Sequence, residues 1–178
     1  MRTGDLDSFD DDSKKQLAQL ELLSLSHQQF SDVSYFGDTF YNLTVLNLNY
    51  NKLSSIVGLS ACLQLQKVYL AGNSIADISP LVALTKISTL CLFRNCIDKL
   101  EDVFPTLQRL NDLRELDLDG NPCAIDSSYR HTVIRRLPAL QSLGNLSTIV
   151  FIRNFKSEGS CSFHVKPPWL AEVCQLVN

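Results

Sequence analysis

Apolar and polar residues alternate along this chain in short runs, and each run stops at an asparagine. In LTVLNLNYNKL (43–53), Leu46 and Leu48 alternate with Asn47 and Asn49 as on a half-buried strand, and Asn51 closes the run. The pattern returns as LQKVYLAGNSI (65–75), ISTLCLFRNCI (87–97) and LRELDLDGNPC (113–123), with a weaker copy, LELLSLSHQQF (20–30), ahead of them. The closing residues Asn51, Asn73, Asn95 and Asn121 are 22, 22 and 26 residues apart. A period of about 20–29 residues marks a solenoid, because one coil cannot bury its apolar edge alone and must share a core with its neighbours.

Stacked coils make a parallel sheet. Leu46, Val68, Leu90 and Leu116 form one inward column, and Leu48, Leu70, Leu92 and Leu118 a second. The chain bends after each strand, and a buried backbone group left unpaired there costs about 1–3 kcal/mol. An asparagine amide both donates and accepts, so a column of asparagines can satisfy the bends of adjacent coils. Gln28 stands at that place in the first copy, and its longer arm predicts a poor substitute in a worn terminal repeat. Between strands, Leu53, Ile56 and Leu59, then Ile75, Ile78, Leu81 and Leu84, recur at the three-residue spacing of a 3-10 turn. The fourth return, 97–112, is longer by about one α-helical turn, which predicts a true α-helical segment on the convex side.

Helical caps are expected at both ends. SKKQLAQL (13–20) offers Ser13 as a cap, with Leu17 and Leu20 turned to the first coil. In PCAIDSSYRHTVIRRLPALQSLGN (122–145), Ser127 or Ser128 can cap a helix that Pro138 ends. Tyr129, Val133, Ile134 and Leu137 are expected on its buried face, and Leu140 and Leu143 in one more, abbreviated strand. The expected architecture is an α/β solenoid of five coils with a parallel concave sheet, 3-10 and short helical convex returns, and capped ends. Its expected divisions are an acidic tail over 1–12, the repeat domain with its caps over 13–146, and an extension over 147–178 that packs on the cap or projects from it. Within the extension, TIVFIRNF is β-prone, and PPWLAEVCQLV starts a helix at proline with Trp169, Val173 and Leu176 at i, i+4 and i+7. That helix can fold back on the solenoid or enter a partner's groove.

These coils resemble the phosphatase-regulator class of leucine-rich repeats. The stretch 121–143 resembles the C-terminal cap motif shared by repeat proteins of axonemal dynein, spliceosomal and tubulin-folding machinery. Its Asn-Pro, Tyr-Arg and Leu-Pro-x-Leu elements stand at Asn121-Pro122, Tyr129-Arg130 and Leu137-Pro138-Ala139-Leu140. That family places Asp after the final leucine, where this chain has Gly144. The resemblance implies a non-enzymatic protein-binding scaffold, with dynein- or tubulin-type partners in the cytoplasm or cilium. A phosphatase or a splicing particle is the alternative, the last of them nuclear.

Composition narrows the classes further. A hydrophobic content of 45% in 178 residues supports a core and excludes a disordered chain. The six cysteines form no CxxC pair and no apolar leader follows Met1, which fits a reducing cytosolic setting and makes the Asn42 and Asn145 sequons coincidental. Charges interrupt every window long enough to span a bilayer. Residues 1–125 hold 10 Lys and Arg against 16 Asp and Glu, whereas 126–178 hold 6 against 3, so an acidic front meets a basic end. Acidic repeats disfavour nucleic acid. Cys161, His164 and Cys174 could supply three metal ligands, but a structural zinc site needs four; no metal, cofactor or catalytic group is expected. His27 and His131 read as surface residues.

What remains is a binding face. The positions between the inward leucines, expected on the exposed concave side of a monomeric scaffold, include Asn47, Asn49, Tyr50, Lys67, Tyr69, Thr89, Phe93, Arg94, Glu115, Asp117 and Asp119. Tyr50, Tyr69, Phe93 and Arg94 have the composition of a hot spot. On the cap helix Arg135 and Arg136 are expected to face solvent and to attract an acidic partner, while Arg130 pairs locally.

Overall fold

In a computed structural model, Lys15 and residues 17–144 are described. The strands β1 (Leu22–Ser24), β2 (Val45–Asn47), β3 (Lys67–Tyr69), β4 (Thr89–Cys91), β5 (Glu115–Asp117) and β6 (Ser142–Leu143) form one six-stranded parallel sheet in chain order. The weak first copy and the abbreviated last strand both join it, although β6 holds Leu143 and not Leu140. The register puts Leu46 beside Val68, Val68 beside Leu90 and Leu90 beside Leu116, so the predicted inward columns are the core. Fully burying each such side chain is worth about 1.5–3 kcal/mol.

On the convex side, 3-10 segments run over Val57–Ala61 and Ser79–Ala83, and a one-turn helix α1 over Phe36–Thr39. The longer fourth return does form an α-helix, α2 (Leu100–Leu107), which buries Leu100, Val103, Phe104 and Leu107. At the N-terminal edge Leu17 is helical and buried, and Leu20 packs beside it.

The C-terminal helix α3 spans Tyr129–Arg136. Two details of its reading are corrected. Ser128 occupies the N-cap but makes no side-chain cap bond to the helix; the Asp126 carboxylate accepts Ser128 N–H at 2.6 Å, and the Ser128 hydroxyl, then this N–H, lower the Asp126 pKa. Ile134 is 57% exposed, because Tyr129, Val133 and Leu137 repeat at four-residue steps and turn it off their face. The Tyr129 hydroxyl is buried without a hydrogen-bond partner among the described residues. The acidic tail, Ser13, the extension over 147–178 and the Cys161, His164 and Cys174 trio lie outside the described residues.

Each asparagine of the repeat ties its coil to the one before. Asn73 Nδ2 donates to the carbonyls of Leu48 (3.0 Å) and Leu70 (2.9 Å), and its Oδ1 accepts the N–H of Leu53. Asn51, Asn95 and Asn121 repeat this geometry one coil at a time. Gln28 Nε2 reaches only the nearby Ser26 carbonyl, as its longer arm predicts.

Candidate interaction surface

The short strands deliver their intervening side chains to the concave side, but many of them are not exposed there. Asn47, Asn49, Tyr69, Thr89 and Asp117 are buried, which corrects the expectation of an open polar face. The polar ones fold back to serve the backbone where the strands end. Asn47 Oδ1 accepts Asn49 N–H at 3.0 Å, Asn49 Oδ1 accepts Ala71 N–H at 2.7 Å, and Asp117 Oδ1 accepts Asp119 N–H at 3.1 Å. Such bonds keep buried donors satisfied, so these residues are part of the scaffold. Thr89 Oγ1 donates to Glu115 Oε2 at 2.9 Å across β4 and β5. Tyr69 joins Ala71 and Cys91 in a small apolar cluster of its own, with Val45 and Phe93 against it, and burial pushes the Cys91 thiol up to about 12.

The residue before each repeat asparagine, with its counterparts His27 and Gly144 in the first and last coils, has left-handed backbone: His27, Tyr50, Gly72, Arg94, Gly120 and Gly144 have φ of 58°, 56°, 67°, 51°, 76° and 83°. His27, Tyr50, Arg94 and Gly120 are exposed, Gly72 is half-buried and Gly144 is buried. The turn out of each strand demands that conformation, and glycine supplies it without a Cβ clash. His27, Tyr50 and Arg94 hold it despite a side chain, at about 1–2 kcal/mol each. Sequence reading placed Tyr50 and Arg94 on the binding face but passed over His27 and this column. The signal was present in three glycines at equivalent repeat positions.

Tyr50 and Arg94 fit the gaps that glycines leave, and His27 packs on Tyr50. The His27 and Tyr50 rings stack with centroids 4.7 Å apart, and a Cβ on Gly72 would lie 2.5 Å from Tyr50 Cδ1. Arg94 sits over the Phe93 ring at 5.1 Å, and a Cβ on Gly120 would meet Arg94 Cγ at 2.9 Å. Tyr50 is 39% exposed, His27 and Arg94 are exposed, and Lys67, Phe93, Glu115 and Asp119 are half-buried. The result is a ridge of an aromatic pair and a cation along one edge of the sheet.

At the cap, Arg135 and Arg136 are exposed, but the Arg136 guanidinium lies 5.1 Å over the Phe104 ring of α2. Arg130 pairs locally, as expected: Nη2 donates to the Leu143 carbonyl at 2.6 Å and Nη1 stands 3.9 Å from Asp119 Oδ2. Gly144 makes this possible, since a Cβ there would lie 2.5 Å from Asp119 Oδ2. Closure of the last coil therefore runs through Arg130. No group of three potential metal ligands occurs among the described residues, and no described helix is long and apolar enough to cross a membrane.

Profiles described as Leucine Rich Repeat and Leucine Rich repeats (2 copies) match residues 42–62 and 63–105. This chain carries leucine-rich repeats. Human cilia- and flagella-associated protein 410 is 39% identical over 97 residues, which are 52% of this chain and 38% of that protein. The mouse leucine-rich repeat- and IQ domain-containing protein 1 is 37% identical over 90 residues, covering 49% of this chain and 5% of that protein. The chain thus spans well under half the length of these relatives. Among solved structures, the Drosophila melanogaster SNF/U2A' complex matches with a TM-score of 0.63 at 22% identity, covering 76% of this chain and 82% of that one. Likeness at that identity shows the leucine-rich repeat solenoid and nothing finer.

Proposed function

We propose that this leucine-rich repeat chain is a non-enzymatic scaffold in ciliary or flagellar machinery, and that it holds a protein partner on the ridge of left-handed residues at the edge of its sheet. Leucine-rich repeat proteins are generally interaction scaffolds, and relatives of this chain include cilia- and flagella-associated proteins. The observation that carries the site is the strain at His27, Tyr50 and Arg94, where glycine would fit the backbone better. Unfavourable backbone conformations at exposed aromatic and cationic side chains cluster at binding sites, because the side chain is kept for what it contacts. Phe93 borders the ridge under Arg94, the Asp119 carbonyl accepts the Arg94 N–H from the next coil, and Lys67 and Glu115 stand half-buried at the starts of β3 and β5. Arg135 gives the cap an exposed cation for an acidic segment, such as a tubulin-type tail.

The test is capture of axonemal dynein and tubulin from ciliated cells by the parent chain and by a Tyr50→Gly/Arg94→Gly variant. Loss of capture on substitution, with the fold retained, is the expected result. Equal capture by the variant would remove the ridge from recognition. Enrichment of a phosphatase subunit or of splicing proteins instead would replace the ciliary setting.

A further inference from the structure

The turns that lead into β2, β3, β4, β5 and β6 stand in a row along the edge where the strands begin, opposite the ridge. Each is tied to the next by the same backbone bonds: Gln66 and Lys67 N–H donate to the Thr44 carbonyl, Ser88 and Thr89 to Gln66, Arg114 and Glu115 to Ser88, and Gln141 and Ser142 to Arg114. Residues at equivalent turn positions are therefore neighbours one strand step apart, about 4.8 Å.

The row has two halves. Turns 40–44 and 62–66 carry no charged residue, and directly after buried Phe40 and Cys62 they expose Tyr41 (50%) and Leu63 (52%). Turns 84–88, 108–115 and 135–141 carry Lys86, Arg109, Arg114, Arg135 and Arg136 against Asp112 and Glu115. Arg109 and Arg136 each precede the buried leucine that ends a return, Leu110 or Leu137, so they stand on adjacent coils. Four of the five cations are exposed and Arg114 is half-buried. Among the described residues none of them pairs with a carboxylate; Lys86 Nζ donates to Gln64 Oε1, and Arg114 Nη1 to the Asn111 and Leu113 carbonyls, all neutral acceptors.

The opposite edge has the other sign, since the segments entering the returns carry Asp32, Asp77, Asp98, Glu101, Asp102 and Asp126, with Lys52, Arg94 and Lys99 among them. Helix dipoles favour such a division, but their effect falls off within the last turn. Lys86 follows only a five-residue 3-10 segment, and Arg114 lies well beyond the end of α2. Helix ends therefore do not account for the whole basic cluster.

We propose that this edge is a second docking surface, which takes an extended acidic peptide segment with an apolar residue at one end. The acidic part lies along Arg109, Arg114, Arg135 and Arg136, and the apolar residue rests on Tyr41 and Leu63. From the first turn to the last is four strand steps, about 20 Å, which about six extended residues span. Exposed apolar residues continuous with the cations favour a peptide over a nucleic acid, whose phosphates the acidic remainder of the repeats repels. The proposal deepens the part given above to Arg135 and uses nothing of the ridge.

Fluorescence anisotropy of labelled hexaglutamate peptides, bare or with a phenylalanine at either end, titrated with the full chain, tests it. A phenylalanine-tipped peptide should bind, and its affinity should fall several-fold between about 0.05 and about 0.3 M salt, because exposed charges are screened. Arg109→Glu/Arg135→Glu should weaken binding by about tenfold or more, and Tyr41→Ser/Leu63→Ser should lower the tipped peptide to the affinity of the bare one. Tyr50→Gly/Arg94→Gly should bind as the parent does. The substituted arginines are exposed, so melting should stay near that of the parent; should the reversal unfold the chain, Arg109→Gln/Arg135→Gln replaces it, with a loss of about threefold or more expected. No binding of any of these peptides, binding indifferent to the arginine substitutions, or equal affinity of tipped and bare peptides would overturn the proposal. So would tighter binding of oligodeoxythymidine or of phosphatidylserine vesicles, or loss of the peptide in the Tyr50→Gly/Arg94→Gly variant, which would move it to the ridge.

Discussion

Two columns run side by side along this solenoid, one residue apart, and they obey opposite rules. The asparagine column has one residue type at Asn51, Asn73, Asn95 and Asn121, all buried and each bonded to its own coil and the one before. The preceding column holds histidine, tyrosine, glycine, arginine and two more glycines at His27, Tyr50, Gly72, Arg94, Gly120 and Gly144. In the first, the backbone dictates the side chain, because carbonyls and N–H groups must be paired away from water. In the second, the backbone dictates only a left-handed φ, and any larger side chain is held at a cost. Uniformity marks structure, and costly variety is what the proposed binding ridge would require.

Substitutions in adjacent positions separate the two columns. Asn95→Ala would leave the Ile75 N–H unpaired and remove one of the two amide donors at each of the Leu70 and Leu92 carbonyls, which keep Asn73 and Asn121, and should destabilise the fold by about 2–3 kcal/mol, read as a lower urea midpoint. Gly72→Ala should cost about 1–2 kcal/mol, because it adds a Cβ at φ 67° against the Tyr50 ring. In a Tyr50→Gly background part of that cost should vanish, which a double-mutant cycle measures.

Smaller effects sharpen the contrast. Tyr50→Gly and Arg94→Gly each remove left-handed strain but also a ring contact and some chain stiffness, so thermal unfolding should show no change or a gain of up to about 1 kcal/mol. A loss of several kcal/mol at either position would turn the ridge into scaffold. At the cap, Arg136→Glu should cost about 0.5–1 kcal/mol through loss of its contact with Phe104, whereas Arg135→Glu should leave the melting temperature unchanged. Equal effects of the two substitutions would show that the ring contact contributes nothing.

By itself, the sequence determined the solenoid, its inward columns and the position of every asparagine, because a repeat writes the same physical requirement several times and repetition is visible without coordinates. It also predicted the α-helical fourth return from four extra residues, and the local pairing of Arg130. The tertiary structure alone decided which concave residues are exposed. Alternation assigns Asn47, Asn49, Tyr69, Thr89 and Asp117 to a face, but their burial depends on neighbours about 22 residues away and on which backbone donors lie open at the strand ends. Likewise the left-handed column, the fit of Tyr50 over Gly72 and the Arg130 link to the Leu143 carbonyl depend on how coils stack. A one-dimensional pattern records what each coil needs from its own strand, whereas exposure, strain and closure are properties of pairs of coils.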